Sequence, residues 1–222
     1  MYEGQPLPLT TYDFFSPLLA CLVLGLGLTV LLRTRYDREW KLTLWTVYRI
    51  KRVWQRLADE SARTGGTLTS HLMGISAWGI LGSAWSISQT DSSLDRLMFG
   101  MWGGLLLGVA TLLLRHLAAV MGGWITLANE ATERGAEIDR HMRNWLLWSL
   151  MVVALFWLNR GVIFEERGEI WNSLVTCWWL WLGVKWLRQV QSILHERLPF
   201  GWGIAYICTF EIGPTWLLFQ QL

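Results

Sequence analysis

From Phe14 to Leu32 the chain runs for nineteen residues without a charge, and comparable apolar runs recur along its length. A run of about that length is what an α-helix needs to cross the hydrocarbon core of a bilayer. In lipid the backbone can satisfy its own polar groups only as a helix or as a closed barrel. The apolar positions here are continuous instead of alternating with period two, which argues against a barrel. With 53% hydrophobic and only 16% charged residues, the composition points the same way. The expected class is all-α: a polytopic membrane helix bundle forming one integral membrane domain over 1–222. Six transmembrane helices are expected at about 14–32, 70–89, 97–115, 144–160, 170–187 and 200–220, with one amphipathic helix on the cytoplasmic side at about 38–58. The amino end, Met1 to Asp13, carries no Lys or Arg, so the first run reads as a retained span and not as a secretory signal.

The charges orient these spans. Nine Lys and Arg lie between Arg33 and Arg63, four between Arg115 and Arg143, and three from Lys185 to Arg197. Those sixteen share one side, and only Arg96, Arg160 and Arg167 fall on the other. The positive-inside rule makes the sixteen cytoplasmic and puts both termini on the periplasmic face of a bacterial inner membrane.

Within the first basic stretch, Trp40, Leu44, Val47, Ile50, Val53, Trp54 and Leu57 share one arc of a helical wheel. Lys41, Arg49, Arg52, Gln55 and Arg56 share the opposite arc, with Lys51 intruding on the apolar side. This is the pattern of a helix lying in the membrane surface, with Lys41, Arg49, Lys51, Arg52 and Arg56 on anionic lipid. A solvated helix packed on a partner protein is the alternative. On the third span Gly100, Gly104 and Gly108 repeat every four residues, a small-residue face that lets another helix approach closely.

Chemistry-bearing residues are sparse. The three cysteines, Cys21, Cys177 and Cys208, each fall inside an apolar run and suggest neither disulfides nor a zinc site. The histidines His71, His116, His141 and His195 all fall at or beyond cytoplasmic helix ends, and no metal-ligand spacing occurs among them. Seventeen tryptophans mostly fit the aromatic belts of a membrane protein. Trp178, Trp179 and Trp181 fall mid-span instead, where they either pack against glycine faces or line a pocket for a quinone, haem or lipid tail. No cofactor is implied, and haem or quinone stays open. No nucleotide loop or nucleophile elbow is present.

The last span holds the one intramembrane polar motif, Cys208, Thr209, Glu211 and Pro214. A lone carboxylate at that depth needs a neutral form, a cationic partner or a wet cavity. Lys185 is the possible charge partner. Pro214 removes a backbone donor and frees the carbonyl of Phe210.

The closing stretch, Ala205-Tyr206-Ile207-Cys208-Thr209-Phe210-Glu211-Ile212-Gly213-Pro214, resembles the end of an uncharacterised family of Bacteroidota inner-membrane proteins. There an aromatic residue precedes Cys, and Glu-Ile-x-Pro follows within the last span. The basic stretch Arg33 to Arg38, Arg115 late in the third span, and Arg140 and Arg143 before the fourth are also similar, while the tryptophan content departs from it. The resemblance implies the fold and the membrane and carries no activity. The expected function is that of a non-catalytic integral inner-membrane protein, an accessory or assembly component of a cell-envelope complex. A small transporter or proton pathway using Glu211 is the alternative, and a haem- or quinone-associated redox subunit is the second. Expected partners are membrane lipids, anionic on the cytoplasmic side, and a membrane protein; no nucleic acid is expected.

Overall fold

The computed structural model describes residues 11–59, 65–89, 94–126, 129–160 and 167–196. Among them the protein is all-helical, with seven helices and no strand: α1 Thr11–Arg35, α2 Asp37–Tyr48, α3 Ile50–Asp59, α4 Gly65–Ser88, α5 Leu94–Thr126, α6 Asn129–Arg160 and α7 Arg167–Glu196. By length and composition α1, over Ser16–Arg35, and α5, over Leu94–Met121, are apolar enough to cross a membrane. The remaining long helices are diluted, α4 by serine and glycine, α6 by charge, α7 by tryptophan and polar residues. The expected sixth span, with Cys208, Thr209, Glu211 and Pro214, lies outside the described residues.

Helix α4 is the hub, packed against α1, α5, α6 and α7. Its polar residues cost little there because their hydroxyls donate back along the helix: Ser76 to the Met73 carbonyl at 2.8 Å, Ser83 to Gly79 at 2.8 Å and Ser86 to Ser83 at 2.9 Å. Small residues let α5 come close. A methyl on Gly82 would collide with the Gly100 carbonyl, and one on Gly104 with the Trp78 carbonyl, while a Cβ on Gly108 would stand 3.0 Å from Ile75 Cα. Backbone-to-backbone packing of this kind leaves no room for a side chain. The main core runs along α4, with Leu18, Leu22, Ile80, Ile87, Leu147 and Leu150 essentially sealed. Trp178 of α7 meets Trp78 of α4 edge-on inside it, ring centroids 4.5 Å apart.

Two expectations are corrected. The single amphipathic helix over about 38–58 is two helices, broken at Arg49, whose φ of −142° and ψ of 53° leave the helical region. The Val47 carbonyl, which would take the Lys51 amide in a continuous helix, accepts Arg188 of α7 instead. The innermost face also differs from the predicted Trp40–Leu44–Val47 arc. Glu39, Leu42, Thr43 and Thr46 are the buried residues of α2, because α6 offers three polar partners, Arg140 to Glu39 and Asn144 and Trp145 to Thr43. Val53 and Leu57 of α3 do bury as the wheel suggests, but against Ile138 and Met142 of α6, so protein covers that apolar arc. The other correction concerns the fourth span, expected at about 144–160, which starts at Asn129, so that 129–143 is the first part of α6. Its Glu, Arg and Ala residues are strong helix formers, and no proline interrupts them.

Candidate functional site: a buried ionic cluster

The first half of α6 carries Asp139, Arg140, His141, Arg143 and Asn144 within six positions, so charge points to every side of the helix. Ile138 and Met142, four apart, are both about 1% exposed and pull this segment inward. The charged residues go with them, and Asp139, Arg140 and His141 each meet a partner from another helix.

One half of the cluster centres on Asp139. Lys185 of α7 stands 2.5 Å from its Oδ1, and Arg115 of α5 stands 3.3 Å from Oδ2, with Arg143 of α6 at 3.6 Å. Burial pushes the Asp139 carboxyl up, but Lys185, Arg115 and Arg143 outweigh it and hold the group well below the usual carboxylate range. Asp139 is therefore a fixed anion.

The other half centres on Arg140, which donates to Glu39 of α2 at 2.9 Å and to Glu137 at 2.8 Å. Burial raises the Glu137 carboxyl against the pull of Arg140. His141 is fully buried, and desolvation, then Arg140, Arg38 and Arg143, hold it well below its ordinary value, so the ring is neutral. Asn144 Nδ2 donates to Thr43 Oγ1 at 3.1 Å and to Ser70 Oγ of α4 at 2.9 Å. Thr43 Oγ1 lies 2.9 Å from His141 Nδ1. The Glu39 carboxylate, its Oε2 3.5 Å from Nε2, favours the tautomer with the ring hydrogen on Nε2, in which Nδ1 accepts from the Thr43 hydroxyl. Indole donors close the edges: Trp145 to the Thr43 carbonyl at 2.7 Å and Trp181 to the Met142 carbonyl at 2.9 Å.

The order hydroxyl, imidazole, carboxylate is the order that activates a nucleophile. Here Thr43 and His141 are sealed, Glu39 is 1% exposed, and the hydroxyl is already engaged by Asn144. The chain therefore fixes α2 to α6 and does not present a nucleophile to a substrate.

The sequence singles out Lys185 as a partner for Glu211; in the structure it is paired with Asp139, and Glu211 lies outside the described residues. Lys41, Arg49, Lys51, Arg52 and Arg56 all lie on the exposed side of α2 and α3, away from the cluster. Lys41 pairs with Asp37 at 2.5 Å and Arg56 lies over the Trp45 ring. Gly100, Gly104 and Gly108 are in the α4–α5 contact described above. Of the histidines, His141 is in the cluster, His71 is half-buried on α4 and His116 is exposed on α5. Among the described residues no group of His, Cys, Asp and Glu side chains is placed to hold a metal. A shallow hollow of about 610 Å³ between α6 and α7 is lined by Ser149, Asn172, Ser173 and Thr176 among others, with no charged group.

Glu39, Thr43, Asp139 and Asn144 carry no sequence motif and sequence reasoning passes over them, while Arg140 enters it only through the family resemblance. The available signal was the run Asp139-Arg140-His141-x-Arg143 beside two apolar residues at helical spacing. No known protein family, no curated protein and no solved structure matches this chain.

Proposed function

We propose that this is a non-catalytic, multi-pass protein of a bacterial inner membrane, serving as an accessory or assembly component of an envelope complex. The observation that supports it most is where apolar side chains face outward. Leu24 and Val30 on α1, Phe99 and Leu106 on α5, Val152 and Phe156 on α6, and Leu180 on α7 are each 48–72% exposed. Exposed apolar surface on four helices is a liability in water and the ordinary solvent-facing surface in lipid.

On this reading the described helices alternate in direction, and the polar residues of α2, α4, α5, α6 and α7 gather at the cytoplasmic boundary. The segment at about 200–220 completes six spans, and both termini are periplasmic. The resemblance to the uncharacterised Bacteroidota family belongs to the same proposal. The ionic cluster then serves as a clamp that joins five helices into a rigid block, as suits a scaffold. Lys41, Arg49, Lys51, Arg52 and Arg56 face anionic headgroups.

Reporter fusions after Leu222 and after Arg134 test the topology. They are expected to report periplasm and cytoplasm respectively, and matching signals would rule it out. Affinity purification from native membranes tests the role: the expected result is a stoichiometric membrane-protein partner, and a lone chain carrying a turnover activity would overturn the accessory reading.

A further inference from the structure

Helix α7 packs on α4 and α6, turning Trp178 to Trp78 of the first and Lys185 to Asp139 of the second. Leu180, Leu187 and Leu194 follow a different arc, seven residues apart, and each is 66–70% exposed. A Cβ on Gly183, beside them, would meet nothing within 4 Å. Towards the start of α7 the same arc becomes one wall of the 610 Å³ hollow against α6, through Ser173, Thr176, Leu180 and Val184. Polar groups gather there. The Ser149 hydroxyl donates to the Trp145 carbonyl at 3.0 Å and the Thr176 hydroxyl to the Asn172 carbonyl at 2.7 Å. With its proton spent on its own helix, each oxygen keeps a lone pair for an incoming donor. Leucines on this arc suit lipid, but hydroxyls and the exposed Asn172 do better against another helix, because hydrocarbon offers them no partner.

We infer that the open arc of α7 is the docking surface for residues 201–222 of this same chain, laid antiparallel along it with Glu211 over the hollow. The inference rests on the six-span reading above. Only 197–200 join Glu196 to Gly201, a reach of roughly 16–18 Å even when fully extended, so the segment returns beside α7. As a helix it is roughly 33 Å long, which matches the arc from Asn172 to Leu194. Gly201, Gly203 and Ala205 are small enough for close approach to the leucines of α7. A tight turn at Pro199 sets Glu211 level with about residue 184, and an extended 197–200 sets it level with about residue 176. Both levels fall on the hollow, which runs from Asn172 to Val184. Its walls carry no charged side chain and Lys185 is held by Asp139, so Glu211 enters as the neutral acid. The carboxyl proton then goes to a hydroxyl oxygen of the hollow, which gives the lone carboxylate of the last apolar run a place without a counter-charge.

The test is disulfide cross-linking of the full-length chain in native membranes, with Cys21, Cys177 and Cys208 first replaced by alanine. Leu180→Cys or Leu187→Cys is combined with a second cysteine scanned through the segment, and the membranes are oxidised. Trypsin cleaves after Arg197 and nowhere beyond it, so a disulfide to the segment joins two peptides that mass spectrometry identifies. Leu180→Cys should pair best within about 207–215 and Leu187→Cys within about 200–208, the better partner shifting by about seven residues as an antiparallel pair requires. Yields there should exceed those at other scanned positions at least tenfold. Glu211→Gln, which cannot ionise, should leave the cross-links at the wild-type level, and their loss would overturn the neutral acid. Absence of cross-links from both α7 positions would overturn the docking, and cross-links only between two chains would give the arc to a second copy instead. A reporter after Leu222 on the same variants separates the two readings. A periplasmic signal without cross-links means that the docking alone fails, and a cytoplasmic signal means that the six-span topology fails with it.

Discussion

Replacing Asp139 with asparagine keeps the shape of the side chain and removes a negative charge that Lys185, Arg115 and Arg143 share. Lys185 is 2.5 Å from the carboxylate, and both residues are only about 3% exposed, so water cannot take over the lost interaction. Removing one member of a buried pair costs about 3–5 kcal/mol, because the partner is left charged and desolvated. In a chain of this length each kcal/mol moves Tm by roughly 2–4 °C, which puts the expected fall at roughly 6–20 °C. Lys185→Met should cost less, about 1–3 kcal/mol, since Asp139 keeps Arg115 and Arg143 at 3.3 and 3.6 Å. The double variant Asp139→Asn/Lys185→Met restores the local charge balance, so it should be less destabilised than the two single losses added together. The coupling expected for residues in one ion network is on the order of 0.5–3 kcal/mol. Thermal unfolding of the four proteins in one detergent and one salt measures all of this. An Asp139→Asn variant melting within about 1 °C of wild type, or strict additivity in the cycle, would refute the clamp.

The neutral, buried His141 gives a pH dependence of known sign: its folded value lies below the unfolded one, so the unfolded state binds more protons as pH falls. Its contribution is complete above the unfolded value of about 6.5 and is lost below it, at up to about 1.4 kcal/mol per pH unit. His141→Gln should flatten the stability profile between about pH 6.5 and 5, and an unchanged slope would show that another group titrates. Gly104→Val forces a side chain into the Trp78 carbonyl and should cost at least about 1–3 kcal/mol, whereas Gly103→Val, with open space around its Cβ position, should cost far less. Similar losses at both sites would mean that α4 and α5 do not meet through Gly104. A peptide spanning 37–59 should bind anionic vesicles and lose much of that binding at high salt, each basic residue being worth about 1 kcal/mol before screening. Equal binding to neutral vesicles would leave no headgroup role for its five outward cations.

The all-helical class was legible because uncharged runs admit few alternatives, and the bounds of α1 fall within three residues of the run that predicts it. Periodicity along one helix shows that Gly100, Gly104 and Gly108 share a face; which helix meets that face depends on the whole bundle. The ionic cluster was illegible for a similar reason. Glu39 sits in a stretch dominated by basic residues and reads as a solvated acid until Arg140 arrives from 101 positions away. The helical wheel of 38–58 fails at α2 because it is drawn through apolar residues and gives Glu39, Thr43 and Thr46 no weight. It has no means of crediting a polar side chain whose partners lie on another helix. The length of α6 is not legible from apolar runs, because its first half is charged, although Glu, Ala and Arg are good helix formers.

The Glu39–Arg140 contact also sets an order of events during synthesis. A ribosome adds about 5–20 residues per second, so α2 exists for roughly 5–20 s before its arginine has been made. Throughout that interval Glu39, Thr43 and Thr46 lack the surface they finally pack on, and Trp145, which caps the Thr43 carbonyl, is later still. The nascent chain must therefore keep α2 without that surface until the first half of α6 emerges. Closure of the clamp is thus a late step in folding. A chain truncated before Arg140 would leave Glu39 without this arginine, while one reaching Trp145 would have both contacts in hand.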